Sequence, residues 1–250
     1  MRITIITVTY QAASVLQRTL DSVSCQTFQQ IEHLIIDGAS KDETVRIAEA
    51  YQEKVSYPVI IQSEPDQGLY DAMNKGLHKA TGDYLVFLNA GDTLHAEDTL
   101  ETINSQLSTA DSPAVIYGDT AIVDSEGNFL HLRRLRPPQQ LTWKSFKQGM
   151  LVCHQAFYVR TDIAQQEDYD LQYRHSADVD WCIRVMKRAA QQQLPLANTH
   201  AVLADFMEGG NTTQHHRASL KERYQVMSHH YGAIQTFFLH LWFLVRTLFK

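Results

Sequence analysis

The sequence lacks the features that mark several classes of protein. Its three cysteines are widely spaced and form neither a CxxC pair nor a zinc-type cluster, which favours a reducing compartment. No heptad repeat persists, so a coiled coil is excluded. The first residues enter an alternating β pattern without the apolar core of a signal peptide, so no secretion signal is expected.

Basic residues are also scarce, since 22 Lys and Arg stand against 28 Asp and Glu, for a formal net charge of −6. A protein that coats nucleic acid needs surplus positive charge, so nucleic acid is excluded as a partner. The charge is unevenly distributed. Residues 214–250 contain five basic residues and one acid, a net charge of +4, which leaves −10 for the other 213 residues. The tail and the body of the chain are therefore expected to have different surroundings.

The first ninety residues alternate between strand and helix patterns. Ser40 and Glu43 form the S-x-x-E pattern of a capping box at the start of one predicted helix. Strands that alternate with helices predict a doubly wound α/β sheet, in which ligands bind beyond the carboxyl ends of the strands. The predicted strands are 3–9, 31–37, 58–63 and 84–88, and the predicted helices are 14–25, 40–51 and 69–80.

The second half of the sequence is less regular. A loop is expected at 209–213, because two glycines and two threonines support neither a helix nor a packed strand. The other predicted elements are a helix at 100–107, strands at 114–123 and 129–135 joined by a hairpin turn at 125–128, strand patterns at 152–160 and 201–206, and a helix at 178–190.

Acidic and amide side chains follow the predicted strands of the first half. Asp37, Asp66, Asn89 and Asp92 should therefore meet at one edge of the sheet. Carboxylates gathered without basic partners repel one another, and a divalent cation with oxygen ligands, Mg²⁺ or Mn²⁺, offsets that repulsion. The pattern predicts a metal-assisted site for a nucleotide diphosphate. The alternative is that Asp37 and Asp66 only stabilise turns and helix ends.

Five motifs follow one another in the first hundred residues. They are 7–10 (TVTY), 19–27 (TLDSVSCQT), 35–44 (IIDGASKDET), 64–76 (EPDQGLYDAMNKG) and 82–92 (GDYLVFLNAGD). In this order they resemble the motifs of family 2 glycosyltransferases. The resemblance implies a GT-A fold, a Rossmann-like mixed and mainly parallel sheet flanked by helices.

Three downstream segments, 154–155, 176–178 and 209–212, resemble a WcaE-like subgroup that builds colanic acid and other bacterial exopolysaccharides. The similarity covers roughly residues 3–213. We therefore expect a catalytic domain at 1–213, with a nucleotide-binding half at 1–110 and an acceptor-side half at 111–213. A basic, aromatic helical tail follows at 214–250.

The resemblance implies roles for individual residues on the nucleotide side. Thr9 and Tyr10 would line the nucleotide pocket, and the Asp37 carboxylate would hydrogen-bond the base, usually uracil. Asp66 and the helix that carries Asn74 and Lys75 would lie along the nucleotide or the donor sugar.

The segment 89–92 occupies the place of the family's D-x-D metal motif. Asp92 would bind Mg²⁺ or Mn²⁺, but Asn89 and Gly91 stand where the family pattern has acids. Metal affinity should therefore depend on Asp92 and on the donor's diphosphate, while the Asn89 amide would contact a ribose hydroxyl or a metal-bound water. By family position His154 would be a further metal ligand; the alternative is that it packs within a strand.

The resemblance makes Asp178 the catalytic base that takes the proton of the acceptor hydroxyl, and direct displacement inverts the anomeric configuration. By pattern alone, Asp178 and Asp180 are acids that stabilise a helix N-terminus, and only family position favours Asp178. Gly209 and Gly210 would close over the donor phosphates, because glycine allows close backbone approach.

A run of basic residues, Arg133, Arg134 and Arg136, precedes two prolines. It would suit a phosphate-bearing lipid acceptor. A solvated sheet edge is the favoured interpretation, because charged residues at an edge discourage strand pairing.

The predicted function is transfer of a sugar from a nucleotide-diphosphate sugar, with UDP favoured, to a hydroxyl of a lipid-linked or saccharide acceptor in bacterial exopolysaccharide or cell-surface glycan synthesis. One alternative is a non-catalytic scaffold that has lost metal acids. Another is a nucleotidyltransferase, although the glycine-rich phosphate loop of that class is missing after the first strand.

Residues 234–249 are apolar and aromatic but are interrupted by Gln235, His240 and Arg246. The run is shorter than the roughly 20 apolar residues that span a bilayer. As a helix it suits the interface of the inner face of the cytoplasmic membrane, which would make the enzyme cytoplasmic and peripheral. A helix packed on the catalytic domain or in a homo-oligomer explains the pattern equally well.

Overall fold

One mixed sheet forms the centre of the fold, and the computed structural model describes residues 1–106, 112–209 and 216–248. Within these ranges the strands are β1 (Ile3–Thr9), β2 (Ile31–Asp37), β3 (Val59–Ser63), β4 (Tyr84–Phe87), β5 (Thr93–Leu94), β6 (Val115–Val123), β7 (Phe129–Leu132), β8 (Phe157–Arg160) and β9 (Leu196–Met207). The α-helices are α1 (Leu16–Ser24), α2 (Thr44–Gln52), α3 (Leu69–Lys79), α4 (Thr99–Ser105), α5 (Thr161–Ala164), α6 (Ala177–Gln191), α7 (His216–Tyr231) and α8 (Ala233–Leu248).

The strands lie in the order β3-β2-β1-β4-β8-β6-β9-β5, and β7 pairs with β6. The first four strands of that order are mutually parallel. β8 runs antiparallel between β4 and β6, while β9 pairs in parallel with β6. The predicted mixed and mainly parallel α/β sheet flanked by helices is confirmed, and strands from both predicted halves of the catalytic domain belong to it.

The centre of the sheet is buried on both faces, which explains its continuous apolar sequence. Every residue of β1 and β2 is buried. Helix α3 lies close against these strands through Gly76, where a Cβ would overlap the side chain of Ile6. The tight packing fixes the start of α3 relative to the strand ends.

The register of the parallel strands brings three polar residues into one row. Thr9 at the end of β1 pairs with Asp37 at the end of β2, and Asp37 pairs with Ser63 at the end of β3. The strand register therefore makes the carboxyl edge of the sheet polar.

The predicted capping box at Ser40 is wrong. Helix α2 begins at Thr44, and its first turn is held by Asp42, whose Oδ1 accepts from the Thr44 backbone N–H at 3.1 Å. The Ser40 hydroxyl instead donates to Asp37 Oδ1 at 2.5 Å. A carboxylate at the strand end outcompetes the helix for this side chain because charge-assisted hydrogen bonds are the stronger ones.

The strand predicted at 152–160 is shorter than expected. Residues His154–Ala156 form a 3₁₀ turn, closed by a bond from the Ala156 N–H to the Cys153 carbonyl, and β8 begins only at Phe157. The two-residue strand β5 carries too little pattern for prediction. The helix predicted at 100–107 is observed as α4, and Leu107 lies outside the described residues.

Helices α7 and α8 form the tail. Helix α7 packs on α6, with Ser219, Val226 and Met227 buried, and α8 packs on α7. Among the described residues, no helix is both long and apolar enough to cross a membrane.

Candidate active site

A cavity of about 680 Å³ opens at the carboxyl edge of the sheet, between the ends of β1, β4 and β9 and the start of α3. It brings together Thr9, Tyr10, Asp66, Asn89 and Asp92, five of the residues that the sequence singled out. The other predicted site residues in the described ranges do not line the cavity, and each has a different environment.

Asp37 lies below the cavity floor and is 1% exposed. Its Oδ1 accepts from the hydroxyls of Thr9 at 2.9 Å and Ser40 at 2.5 Å. Its Oδ2 accepts from the Ser40 N–H at 2.9 Å and the Ser63 hydroxyl at 2.7 Å. A carboxylate offers about four lone-pair positions, so the surrounding protein occupies all of them.

These four bonds also set the charge state of Asp37. Burial acts to raise the pKa of the carboxyl, but the bonds from Ser40, Ser63 and Thr9 outweigh burial and hold the pKa below its usual value. Asp37 is therefore a fixed negative charge that organises the strand ends around it.

Tyr10 and Asp66 form the mouth of the cavity. The Tyr10 side chain is 69% exposed, and Asp66 Oδ1 accepts from the Gly68 N–H at 2.8 Å. A Cβ at Gly38 would come within 2.5 Å of Asp66 Oδ2 and within 3.4 Å of the Tyr10 ring. Glycine at position 38 is what allows Asp66 and Tyr10 to approach the end of β2.

Asn74 and Lys75 do not line the cavity. The Asn74 amide exchanges two bonds with the backbone of Tyr169, donating to the carbonyl at 3.0 Å and accepting from the N–H at 2.7 Å. Lys75 Nζ bonds Glu64 Oε1 and the Pro65 carbonyl, each at 2.9 Å. In this structure the two residues hold neighbouring segments in place.

The turn after β4 explains why glycine replaces an acid in the metal motif. Gly91 has φ +100°, and a Cβ there would come within 2.7 Å of Met207 Cε. Thr19 fixes the turn, because its hydroxyl donates to the Asp92 carbonyl at 2.7 Å and accepts from the Gly91 N–H at 2.9 Å. Both the backbone conformation and the space therefore favour glycine at position 91.

Asp92 is a buried carboxylate with an incomplete shell. Gln155 Nε2 donates to Oδ2 at 2.5 Å and the Met207 N–H donates to Oδ1 at 3.0 Å. Burial raises the pKa of the Asp92 carboxyl to about 7, although these bonds and the charge of Arg18 act in the other direction. A buried carboxyl with so high a pKa is typical of a site that receives a cation or proton.

Asn89 supplies the second oxygen of this part of the cavity. Its Oδ1 is buried and has no hydrogen-bond partner among the described residues. A hard divalent cation would be bound by this oxygen and would neutralise the charge of Asp92, so the residues present fit Mg²⁺ or Mn²⁺. No group of three or more His, Cys, Asp or Glu side chains suited to a metal occurs in the described ranges, so the diphosphate would have to provide further ligands.

His154 lies in an aromatic cluster. Its Nε2 is 2.5 Å from the Tyr169 hydroxyl, and its ring stacks on Phe87 at a centroid distance of 5.1 Å. Burial lowers the pKa of the imidazole to about 4, against the charge of Asp178, so the ring is neutral. In this segment the side chain that reaches Asp92 belongs to the next residue, Gln155.

The structure separates the two acids at the start of α6. Asp178 is half-buried, and its Oδ1 accepts from the Tyr70 hydroxyl at 3.1 Å. Asp180 is enclosed, with Oδ2 2.7 Å from Arg184 Nε and Oδ1 2.7 Å from His230 Nε2. Asp180 therefore has a structural role, whereas Asp178 remains accessible beside the helix whose first turn lines the cavity.

Gly209 follows the end of β9 with φ +94°, and nothing lies within 4 Å of a Cβ placed there. It comes two residues after Met207, which lines the cavity. Gly210 lies outside the described residues.

Sequence reasoning missed several residues that shape the site. Gln155 contacts Asp92, Thr19 holds the metal-motif turn, Ser63 completes the shell of Asp37, and Tyr70 bonds Asp178. Three of them belong to the quoted motifs or to the 154–155 pair, so the signal was present in the sequence. The residue pattern instead favours their charged or ionisable neighbours.

The favoured interpretation of the arginine run as a solvated edge is wrong for Arg133. Its Nη1 donates to the carbonyls of Leu135 at 2.9 Å and Met150 at 2.6 Å, so the side chain turns inward. Arg136 pairs with Asp119, and Arg134 is exposed. Of the three arginines, only Arg133 hydrogen-bonds the backbone carbonyls of the following loop.

Comparison with known proteins identifies the family and the fold. The profile of Glycosyl transferase family 2 matches residues 4–167. A PGL/p-HBAD biosynthesis glycosyltransferase of Mycobacterium bovis (strain BCG / Pasteur 1173P2) is 36% identical over 210 residues, which cover 82% of this chain and 77% of the relative. The amylovoran biosynthesis glycosyltransferase AmsB of Erwinia amylovora is 28% identical over 206 residues, covering 77% and 67% of the two chains.

Solved structures share the fold. Residues 1–349 of S. aureus TarS, in complex with UDP-GlcNAc, superpose with a TM-score of 0.73 at 17% identity, covering 91% of this chain and 64% of that one. The mannosyltransferase PcManGT of Pyrobaculum calidifontis, in complex with GDP-Man and Mn²⁺, gives a TM-score of 0.64 at 15% identity, with coverage of 90% and 63%. The expected GT-A architecture is confirmed by these neighbours, and the chain belongs to glycosyl transferase family 2.

Proposed function

We propose that this glycosyltransferase moves a hexosyl residue from a UDP-sugar to a hydroxyl of a lipid-linked or saccharide acceptor, with inversion at the anomeric carbon. The observation that carries the proposal is the cavity at the carboxyl edge of the sheet. Its floor rests on the fixed charge of Asp37, and its far end has the oxygens of Asn89 and Asp92. Neighbours of the same fold bind UDP-GlcNAc or GDP-Man with Mn²⁺, which supports a nucleotide-sugar donor.

Asp92 and Asn89 are the residues that would hold Mg²⁺ or Mn²⁺ together with the donor diphosphate. A bound cation would neutralise the charge that develops on the departing nucleoside diphosphate. Gln155 orients the Asp92 carboxylate, and Thr19 fixes the backbone of the turn that carries it.

Asp178 is proposed as the general base. The acceptor oxygen forms a bond to the anomeric carbon as the bond from that carbon to the diphosphate oxygen breaks, and the hydroxyl proton passes to the carboxylate. The Tyr70 hydroxyl, which donates to Asp178 Oδ1, holds one carboxylate oxygen and leaves the other for the acceptor. UDP leaves with the bonding electrons.

The proposed pathway is assembly of a bacterial exopolysaccharide or cell-surface glycan, in a WcaE-like role. The similarity to an amylovoran biosynthesis glycosyltransferase supports it, because amylovoran is an exopolysaccharide. The PGL/p-HBAD relative is likewise named as a biosynthesis glycosyltransferase.

The proposed place of action is the inner face of the cytoplasmic membrane, and α8 supports it. This helix turns its polar side inward, since Thr236 is fully buried and His240 is half-buried against Tyr224. Its apolar side faces out, with Ile234 79%, Phe238 62% and Trp242 58% exposed. An apolar surface of this kind on a basic tail suits an anionic lipid interface.

The test of the enzyme function is nucleotide-sugar binding and turnover. Titration with UDP, UDP-hexoses, UDP-N-acetylhexosamines and GDP-mannose, with Mn²⁺ or with chelator, should show binding of at least one donor and slow Mn²⁺-dependent hydrolysis. Asp92→Asn should lose the Mn²⁺ effect, whereas Asp162→Asn, at an exposed acid on α5, should retain it. If the protein binds none of these nucleotides, the enzyme proposal is refuted. Equal Mn²⁺ effects in both variants would refute only the metal assignment.

A further inference from the structure

Arg223 occupies an unusual position on α7. Residues Ser219, Val226 and His230 recur at helical spacing on the face of α7 that packs against α6, and Arg223 belongs to that face. Its Nε is buried and has no hydrogen-bond partner among the described residues. An unpaired buried guanidinium destabilises a fold, so its presence calls for a partner.

Within the described ranges, no carboxylate forms an ion pair or a hydrogen bond with Arg223. Its sequence neighbour Glu222 is occupied elsewhere, since its two oxygens accept from the backbone N–H groups of Arg174 at 3.1 Å and His175 at 2.7 Å.

The same bonds place the start of α7, which carries Arg223, against the start of α6. Glu222 ties α7 to the segment just before α6, and the Ser176 hydroxyl donates to the Ser219 carbonyl at 3.2 Å. The first turns of α7 therefore dock on the first turn of α6, where Asp178 lies. Burial lowers the pKa of the Arg223 guanidinium, and the charged groups that act on it are Asp178 and Arg133.

Arg133 is the second cation of this cluster. The carbonyls of Leu135 and Met150 fix its Nη1, which turns it away from solvent. The charge of Arg133 also acts on Arg223, so Arg133 adds to the positive potential there. Arg184, elsewhere on α6, shows the contrasting case, because Asp180 and Glu167 both pair with it.

We propose that Arg223, on the face of α7 that docks on the start of α6, forms an anion subsite beside Asp178 that binds a phosphate group of the acceptor. A guanidinium fork matches phosphate oxygens, which favours phosphate over a simple carboxylate. Arg223 does not line the donor cavity, and its face of α7 docks on the first turn of α6, where the proposed base lies. The inference rests on the proposed function, and it adds that the acceptor is linked through phosphate close to its attacking hydroxyl.

The experiment uses two ligands and three proteins. Wild type, Arg223→Gln and the control Arg46→Gln, whose arginine is exposed and pairs only with Glu43, are titrated with UDP. Each protein is then saturated with UDP and titrated with geranyl diphosphate, a short lipid diphosphate, and with geraniol as the phosphate-free analogue. Arg223→Lys tests whether a single charge without the fork is sufficient.

The expected result is that geranyl diphosphate binds the UDP-saturated wild type, and that Arg223→Gln weakens this binding about ten-fold or more while UDP affinity is unchanged. Geraniol should bind no better to wild type than to the variant. Because the Arg223 Nε is buried and has no hydrogen-bond partner among the described residues, Arg223→Gln should also melt at the same temperature as wild type or higher, which a structural arginine would not allow.

Other outcomes are equally decisive. If Arg223→Gln weakens UDP instead, the subsite binds the donor's phosphate and the acceptor assignment is overturned. If wild type and Arg223→Gln bind geranyl diphosphate and geraniol equally well, the anion subsite is overturned. It is also overturned if geranyl diphosphate fails to bind the UDP-loaded wild type while UDP affinity is unaffected. In both cases the UDP titration still supports the donor site. Failure of UDP itself to bind would count against the proposed function.

Discussion

Two regions of the molecule treat buried charge in opposite ways. On the donor side, at the carboxyl ends of β1, β2 and β3, Asp37 accepts four hydrogen bonds from the protein. On the proposed acceptor side, where α7 docks on the start of α6, Arg223 Nε is buried and has no hydrogen-bond partner among the residues that the structure describes. A group whose hydrogen bonds are all made within the protein supports the fold, whereas a group with an unused donor can bind a ligand. The contrast assigns Asp37 to the framework and is the basis of the ligand role proposed for Arg223.

The largest expected effect is on the chemistry of the acceptor side. Asp178→Asn should lower the rate of sugar transfer by about 10²- to 10⁴-fold, because the amide cannot take the acceptor proton. UDP affinity should stay as in wild type, since Asp178 does not line the donor cavity. Transfer kinetics together with UDP titration measure the two quantities separately.

The neighbouring Asp180→Asn variant is the control for that change. It removes a charge of the same type two residues away. If Asp180→Asn loses transfer to the extent expected for Asp178→Asn, and Asp178→Asn itself keeps its activity, the base is misassigned. Full activity in both variants would refute the proposal that either acid is the general base.

The next effect is on stability and concerns Asp180 itself. Asp180→Ala should lower the free energy of unfolding by about 2–4 kcal/mol, because it leaves the buried His230 without its carboxylate and the half-buried Arg184 with Glu167 alone. Urea unfolding measures the change, with Asp178→Asn as the comparison. A loss of under about 0.5 kcal/mol, typical of surface sites, would contradict the framework role.

Much of the donor side was predictable from sequence because it is built from local patterns. Strands β1 and β2 are continuous apolar runs, and the residues that follow such strands in parallel sheets lie at the ligand edge. Thr9, Tyr10, Asp66, Asn89 and Asp92 accordingly line one cavity. Neither the bond from Ser40 to Asp37 nor the pairing of Asn74 with Tyr169 was predictable, because each depends on competition or contact that the local pattern does not encode.

The acceptor side was less predictable, because its geometry comes from the docking of distant segments. His154 and Gln155 are adjacent, and only the 3₁₀ turn decides that the glutamine reaches Asp92 while the histidine enters the aromatic cluster. The spacing of Ser219, Arg223 and Val226 indicates one helix face. That this face meets Asp178 depends on the bonds of Glu222, which the sequence pattern does not reveal.

A smaller effect tests whether Asp37 belongs to the framework. Asp37→Asn should lower the free energy of unfolding at neutral pH by about 1–3 kcal/mol, because an amide nitrogen cannot accept from the Ser40 N–H or Ser63 hydroxyl as the carboxylate does. The pKa of Asp37 is below its ordinary 3.8 in the folded chain, so its contribution is complete above that value and is lost as the pH falls through the folded pKa.

Urea unfolding of wild type and Asp37→Asn at neutral pH and in acid checks this dependence. The difference between the two proteins should shrink as the pH falls below about 4. A difference that stays constant down to strong acid would mean that the four bonds do not favour the charged form.

A substitution on the exposed face of α8 is expected to have the smallest effect on stability but a large effect on membrane binding. Phe238→Ser should change the free energy of unfolding by less than about 0.5 kcal/mol, because the ring is already 62% exposed. The same substitution should reduce flotation of the full chain with vesicles that contain anionic lipid, since the outward apolar face of α8 provides the contact. Phe129→Ser is the matched control, because that ring is 61% exposed on β7, outside the tail. If both variants float like wild type, α8 does not bind membrane; if Phe238→Ser instead changes the oligomeric mass in solution, the exposed face binds a second copy of the chain.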